Sequence, residues 1–234
     1  MSRSSDLDAF YGLLGKLEMR IGGRRRLRDM HGRMPWPERG VYFFFEDGEH
    51  RATAPDRPRV VRVGTHALTA TSRTTLWRRL AQHRGTMSPR GGNHRGSIFR
   101  LLIGEALMRR DPALAVESWG RGSTTPRENR VAERPLEEKV SDYLGAMTFL
   151  FLPVPDRGGP ESARGLIERN AIALLSNYLE PGPDAPSADW LGYHSGRERV
   201  HRSGLWNNNH VDERHDPEFL KVLQNLTARI APGT

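Results

Sequence analysis

Apolar residues crowd most tightly at GVYFFFEDG, residues 40–48, where successive side chains of an extended chain would point to opposite faces. Val41, Phe43 and Phe45 then share one side, and Tyr42 and Phe44 the other. A second apolar run, RVVRVGTHA at 59–67, follows a polar stretch rich in Gly and Pro, and the pair predicts two strands joined as a long-looped hairpin. AMTFLFLPV at 146–154 predicts a buried third strand ended by Pro153 and Pro155.

Between and around these runs the spacing turns helical. Leu7, Phe10, Leu14 and Leu17 predict a helix over 6–20, opened by Ser5 or Asp6. TTLWRRLAQHR predicts a helix from Thr74 or Thr75 that turns Leu76 and Leu80 inward and sets Arg79 and His83, four residues apart, on another line. SIFRLLIGEALMRR predicts a helix capped by Ser97, and residues 110–134, with few apolar anchors, predict a surface loop. Pro135 is expected at the first position of a short helix, PLEEKVSDYLG. Apolar residues at 166, 167, 171, 174 and 175 predict a strongly amphipathic helix over 160–178. A proline-rich break leads into a polar extension closed by a short helix, PEFLKVLQNLTARI.

Composition narrows the chemistry. The 234 residues include no cysteine, which excludes disulfides, thiolate zinc sites and thiol nucleophiles. A net charge of +8 and a pI near 10.5 favour a polyanionic partner, nucleic acid ahead of membrane. Only Lys16, Lys139 and Lys221 are lysines, so arginine dominates, through phosphate recognition or through a GC-rich genome. No apolar run approaches 18 residues and no signal-peptide pattern opens the chain, so a cytoplasmic protein is expected. The histidines at 194, 201, 210 and 215 lack the tight spacing of a separate zinc site.

The order of four short motifs resembles the GIY-YIG nuclease superfamily. GVY at 40–42 matches its first motif, RVG at 62–64 stands where the second is expected, LWRRLAQH at 76–83 is similar to its first helix, and LIERNAIALL at 166–175 to its glutamate helix. The resemblance covers about 38–180. It implies an α+β fold, a small three-stranded, mostly antiparallel sheet flanked by helices, with an N-terminal extension over 1–37 and a C-terminal one over 181–234.

It also implies a metal-dependent DNA endonuclease working through one Mg2+ or Mn2+ ion. Glu168 would hold the ion with a hard oxygen, Tyr42 would accept the proton of the attacking water, Arg79 would supply positive field and grip the phosphate, and His83 would orient Tyr42 or relay its proton. A free phenol titrates at about 10, so Tyr42 needs cationic neighbours. Arg62 occupies the place of the second motif's tyrosine: it would lower the proton affinity of Tyr42, bind phosphate, or mark a site that has lost activity. The asparagine expected after the glutamate helix is assigned to Asn177, with Asn207 as the alternative. Taken singly, Tyr42 reads as core with a satisfied hydroxyl, Arg79 and His83 as an exposed helix face, and Glu168 as a solvated charge.

Contacts with DNA are expected from Arg78, Arg84, Arg90, His94 and Arg95, and from Asn207 and Asn209 in the tail, since Arg and Asn read base edges; Asn207, Asn208 and Asn209 read equally as a turn or an interface. The biological setting implied is restriction, other defence against foreign DNA, or repair, and a symmetric duplex site would favour a homodimer. The competing function is a catalytically silent nucleic-acid-binding module of the same fold.

Overall fold

Two strands pair along nearly their whole length to form the spine of the protein: β2 (Gly40–Arg51) and β3 (Ala54–Gly64). The computed structural model describes residues 2–231. The expected long loop between these strands is replaced by strand, because the ribbon closes at the Arg51–Ala54 pair. Buried ion pairs hold this polar extension in place. Arg59 Nε donates to Glu49 at 2.6 Å, and Arg51 Nε donates to Asp184 at 2.8 Å.

β6 (Thr148–Pro153) pairs antiparallel with β2 on the other side, and a two-residue strand, β1 (Arg25–Arg26), adds to the outer edge of β6. The sheet order is β1-β6-β2-β3, the three expected strands plus a short fourth. A separate two-stranded ribbon, β4 (Thr86–Met87) with β5 (Arg90–Gly91), lies in the glycine-rich segment between the helices at Leu76–Arg84 and Ile98–Arg110.

Helices cover the sheet: α1 (Arg3–Arg20), α2 (Leu76–Arg84), α3 (Ile98–Arg110), α4 (Arg127–Ala146), α5 (Ala163–Leu175), α6 (Glu198–Ser203) and α7 (Glu218–Ala228). α4 begins eight residues before Pro135, which lies inside the helix and does not start it. Glu133, two residues before Pro135, pairs with Arg95, and Glu137, two residues after it, pairs with Arg100, so tertiary ion pairs fasten the helix on both sides of the proline despite the hydrogen bond that proline removes.

One hydrophobic cluster runs from Leu7 of α1 to Leu223 of α7 and takes in Trp190, Leu205 and Trp206 from the C-terminal segment. Phe10 packs edge-on against Phe43 at 5.8 Å and lies 6.2 Å from Phe219, joining both ends of the chain to the sheet. The Trp206 backbone N–H donates to the Val61 carbonyl at 2.8 Å, so the C-terminal segment occupies the free edge of β3.

Candidate active site

Strand register places the first chemical pair. Tyr42 lies opposite Gly64, and Phe44 opposite Arg62, so Tyr42 and Arg62 share one face of the sheet. A β-carbon on Gly64 would stand 2.4 Å from Cζ and the hydroxyl of Tyr42, so the phenol can cross β3 only over a glycine.

α2, capped by Thr75, turns Leu76, Leu80 and His83 into the core and leaves Arg79 half-buried. The fully buried Tyr42 hydroxyl meets His83 Nε2 at 2.9 Å, and His83 Nδ1 meets Ser97 Oγ at 2.7 Å. Burial holds His83 neutral, its pKa well below the ordinary value, and the Arg79, Arg62 and Arg100 charges press it lower. The buried O–H requires an acceptor, and His83 Nε2 supplies it. Nδ1 then carries the imidazole proton and donates it to Ser97. Ser97 also accepts the Arg100 N–H as the cap of α3, so one side chain starts a helix and fixes a tautomer.

Arg62 is buried, its guanidinium 4.6 Å from the centre of the Phe99 ring, with one Nη donating to the Trp206 carbonyl. Its Nε has no partner. Burial lowers its pKa; Tyr42 and Glu168 pull it back up, and Arg79 presses it further down. Arg79 donates to Gln82 Oε1 at 3.1 Å and to the Gly96 carbonyl at 3.3 Å.

Glu168 comes to this cluster from α5. The Thr65 N–H, just past Gly64, donates to Glu168 Oε1 at 3.0 Å, while the Thr65 hydroxyl donates to the Gly40 carbonyl at 2.8 Å. The loop behind Thr65 is clamped to α5 by the buried Arg164, which pairs with Asp156 and donates to the carbonyls of His66 and Ala67. Burial raises the pKa of Glu168, opposed by the Thr65 hydrogen bond and then by Arg62, His210 and Arg79. Glu168 borders a cavity of about 340 Å³ that Leu68, Ser162, Leu166, Arg169 and His210 also line.

His66 is buried beside the same loop, with Nδ1 on the Thr74 carbonyl at 3.1 Å and Nε2 unpartnered. Burial, then Arg164, Arg79 and Arg39, lower its pKa to about 4.

Tyr42, Arg62, Arg79, His83 and Glu168 are thus brought together, and Asn177 is not. Its Oδ1 accepts from Arg3 at 3.4 Å and its Nδ2 donates to the Asp184 carbonyl, because the chain turns away from the site where α5 ends. Asn207 lies against the second motif: Val63 N–H donates to its Oδ1 at 3.1 Å and its Nδ2 donates to the Val63 carbonyl at 2.8 Å. Its side chain imitates a strand's peptide group on the β3 edge, which removes it from the expected DNA contacts.

His94 and Arg95 are likewise committed to the interior. His94 stacks on Trp119 at 3.9 Å, donates Nδ1–H to Glu137 at 2.9 Å and accepts the Gly120 N–H at Nε2. Arg95 grips Glu133 through two 2.7 Å bonds. Arg84 is half-buried over Trp77 and bonded to the Met30 carbonyl. Arg90, paired with Asp142, is exposed, as are Arg78 and Asn209.

Sequence spacing identifies Ser97 only as a helix cap and gives no sign of the parts played by Thr65 or His210. Each depends on a contact between segments far apart in the chain.

A phenol bonded to a neutral imidazole, with two arginines and a carboxylate at the end of a small antiparallel sheet, can move a proton and hold an anionic ester in one place. The GIY-YIG domain model matches residues 1–232, and the chain belongs to that family. Membership at this level supports a nuclease, a hydrolase of phosphodiesters. No curated protein and no solved structure matches the chain. Among the described residues no helix is long and apolar enough to cross a membrane.

Proposed function

We propose that the protein is a DNA endonuclease that depends on Mg2+ or Mn2+, acting in restriction or another defence against foreign DNA, with repair as the next setting. The observation that carries the reading is the line from Tyr42 through His83 to Ser97, set on the same face as Arg62 and beside Glu168. The net charge of +8 supports a polyanionic substrate.

The residues fit a hard divalent cation. Glu168 Oε1 is tied to Thr65, whereas Oε2 accepts no hydrogen bond from a described residue, and Glu168 borders a cavity. Bound to Glu168, the ion would polarise the scissile phosphate and offset charge on the departing oxygen. The chain's own groups do the rest. His83, neutral at the outset, accepts the Tyr42 proton at Nε2 while Ser97 holds Nδ1–H in place, and the Tyr42 oxygen accepts the proton of the attacking water. Arg62 and Arg79 steady the phosphate as negative charge accumulates.

A second reading, a silent nucleic-acid-binding module, draws on the full burial of Tyr42 and on the Arg62 bond to the Trp206 carbonyl. Incubation of supercoiled plasmid and single-stranded DNA with Mg2+, beside EDTA and Glu168→Ala controls, separates the two. Cutting by the wild type alone supports the nuclease. Salt-sensitive binding by both proteins without cutting overturns it in favour of the module.

A further inference from the structure

His210 stands in the C-terminal segment, far in sequence from every motif of the site, yet it lines the cavity that Glu168 borders. Two features show that the imidazole is held there. The first is backbone: His210 and Ala67 are the two non-glycine residues with positive φ among those described, and His210 has φ +63°. The second is anchorage on both sides. Trp206 and Asn207 bond to the β3 edge, Arg199 donates to the Asn208 carbonyl at 3.0 Å, and the carbonyl of the buried Val211 accepts from Ser176 Oγ at 2.5 Å.

The imidazole is also oriented. His210 Nδ1 meets Glu213 Oε1 at 2.8 Å, and Glu213 is itself paired with Arg169, the residue after Glu168 on α5. With Nδ1–H given to the carboxylate, Nε2 keeps its lone pair, and no described residue hydrogen-bonds to it. An imidazole that donates one nitrogen to a carboxylate and leaves the other free is the arrangement that surrounds metal-ligating histidines.

We infer that His210 Nε2 is a second protein ligand of the divalent ion held by Glu168, with Glu213 as the carboxylate that orients it. This rests on the assignment of the ion to Glu168. One carboxylate oxygen and one imidazole nitrogen leave the remaining positions to water and phosphate. A nitrogen ligand also moves the site's preference away from Mg2+ and toward first-row transition ions.

The test uses Mn2+ as the probe and requires no turnover. Binding is followed by the electron paramagnetic resonance of free Mn2+, with Mg2+ as competitor, and nitrogen ligation by pulsed spectroscopy of the bound ion. Four proteins are compared: wild type, Glu168→Ala, Glu213→Gln, and His210→Gly, which keeps the left-handed backbone available. The expected result is a 14N coupling in the wild type that is absent in His210→Gly. Mn2+ affinity should fall about 10–100-fold in His210→Gly and about 10-fold in Glu213→Gln, and the preference for Mn2+ over Mg2+ should shrink.

Mn2+ bound through Glu168 with no nitrogen coupling, or a coupling that survives in His210→Gly, overturns the role of His210 and leaves Glu168 in place. No Mn2+ binding by the wild type, or equal binding by Glu168→Ala, overturns the metal assignment itself.

Discussion

Gly64→Ala tests whether the site depends on the phenol crossing β3. The new β-carbon would meet Tyr42 Cζ at 2.4 Å, against an ordinary contact of 3.4 Å or more, so the ring must retreat by about 1 Å. φ at Gly64 is not positive, so the cost is steric. A 1 Å retreat takes the 2.9 Å bond to His83 out of hydrogen-bond range. Overpacking contributes about 1–3 kcal/mol and the lost hydrogen bond about 1 kcal/mol. The sum, about 2–4 kcal/mol, corresponds to a fall in Tm of roughly 4–16 °C for a chain of this size. Cleavage should fall about 100-fold through misplacement alone. Thermal melts and plasmid cleavage are measured for Gly64→Ala in the wild-type and Tyr42→Ala backgrounds. In the second the obstructing atoms are gone, and the alanine should be nearly neutral. An equal penalty in both backgrounds, or unchanged cleavage by the single variant, would refute the reasoning.

Three further outcomes are expected. His83 and His66 have folded pKa values below that of the free imidazole, so the unfolded chain takes up their protons first. The stability they confer is complete above about pH 6.5 and is lost as pH falls, by about 1.4 kcal/mol per pH unit for each histidine, down to about 4 for His66; urea melts of His66→Phe should show a shallower slope over this interval. Asn207→Leu strands the buried N–H and carbonyl of Val63 and should cost about 2–5 kcal/mol in denaturant titration, whereas the exposed Asn209→Ala should stay within about 0.5 kcal/mol. Arg95→Ala leaves Glu133 buried and unpaired and should destabilise the fold by about 3–5 kcal/mol, while Arg78→Ala should spare the fold and reduce the salt slope of DNA affinity by about 1.

The residues of the sequence motifs, Tyr42, Arg62, Arg79, His83 and Glu168, were legible through the order of the motifs and the family resemblance that order carries; the local patterns, alternating strand, capped helix and amphipathic helix, fix only the elements that hold them. Period and register also decide that Tyr42 and Arg62 share a face, since a strand has only two sides.

Residues defined by distant contacts were not legible. Asn207 looks polar and solvent-seeking in its own segment, yet a free strand edge offers it the two partners its amide needs. His94 and Arg95 look like a basic loop reaching for phosphate until α4 presents Glu137 and Glu133 to them. Pro135 looks like a helix start because its own chemistry permits one, yet α4 runs eight residues ahead of it and is fastened there by the Glu133–Arg95 pair. His210 has no motif at all; the closure of the C-terminal segment over β3 and α5 brings it to Glu168. Periodicity records what a residue does within its own turn or strand. Which buried donor finds which acceptor is settled only when segments distant in the chain exclude water together, and an unpaired buried group is too costly to leave any other arrangement.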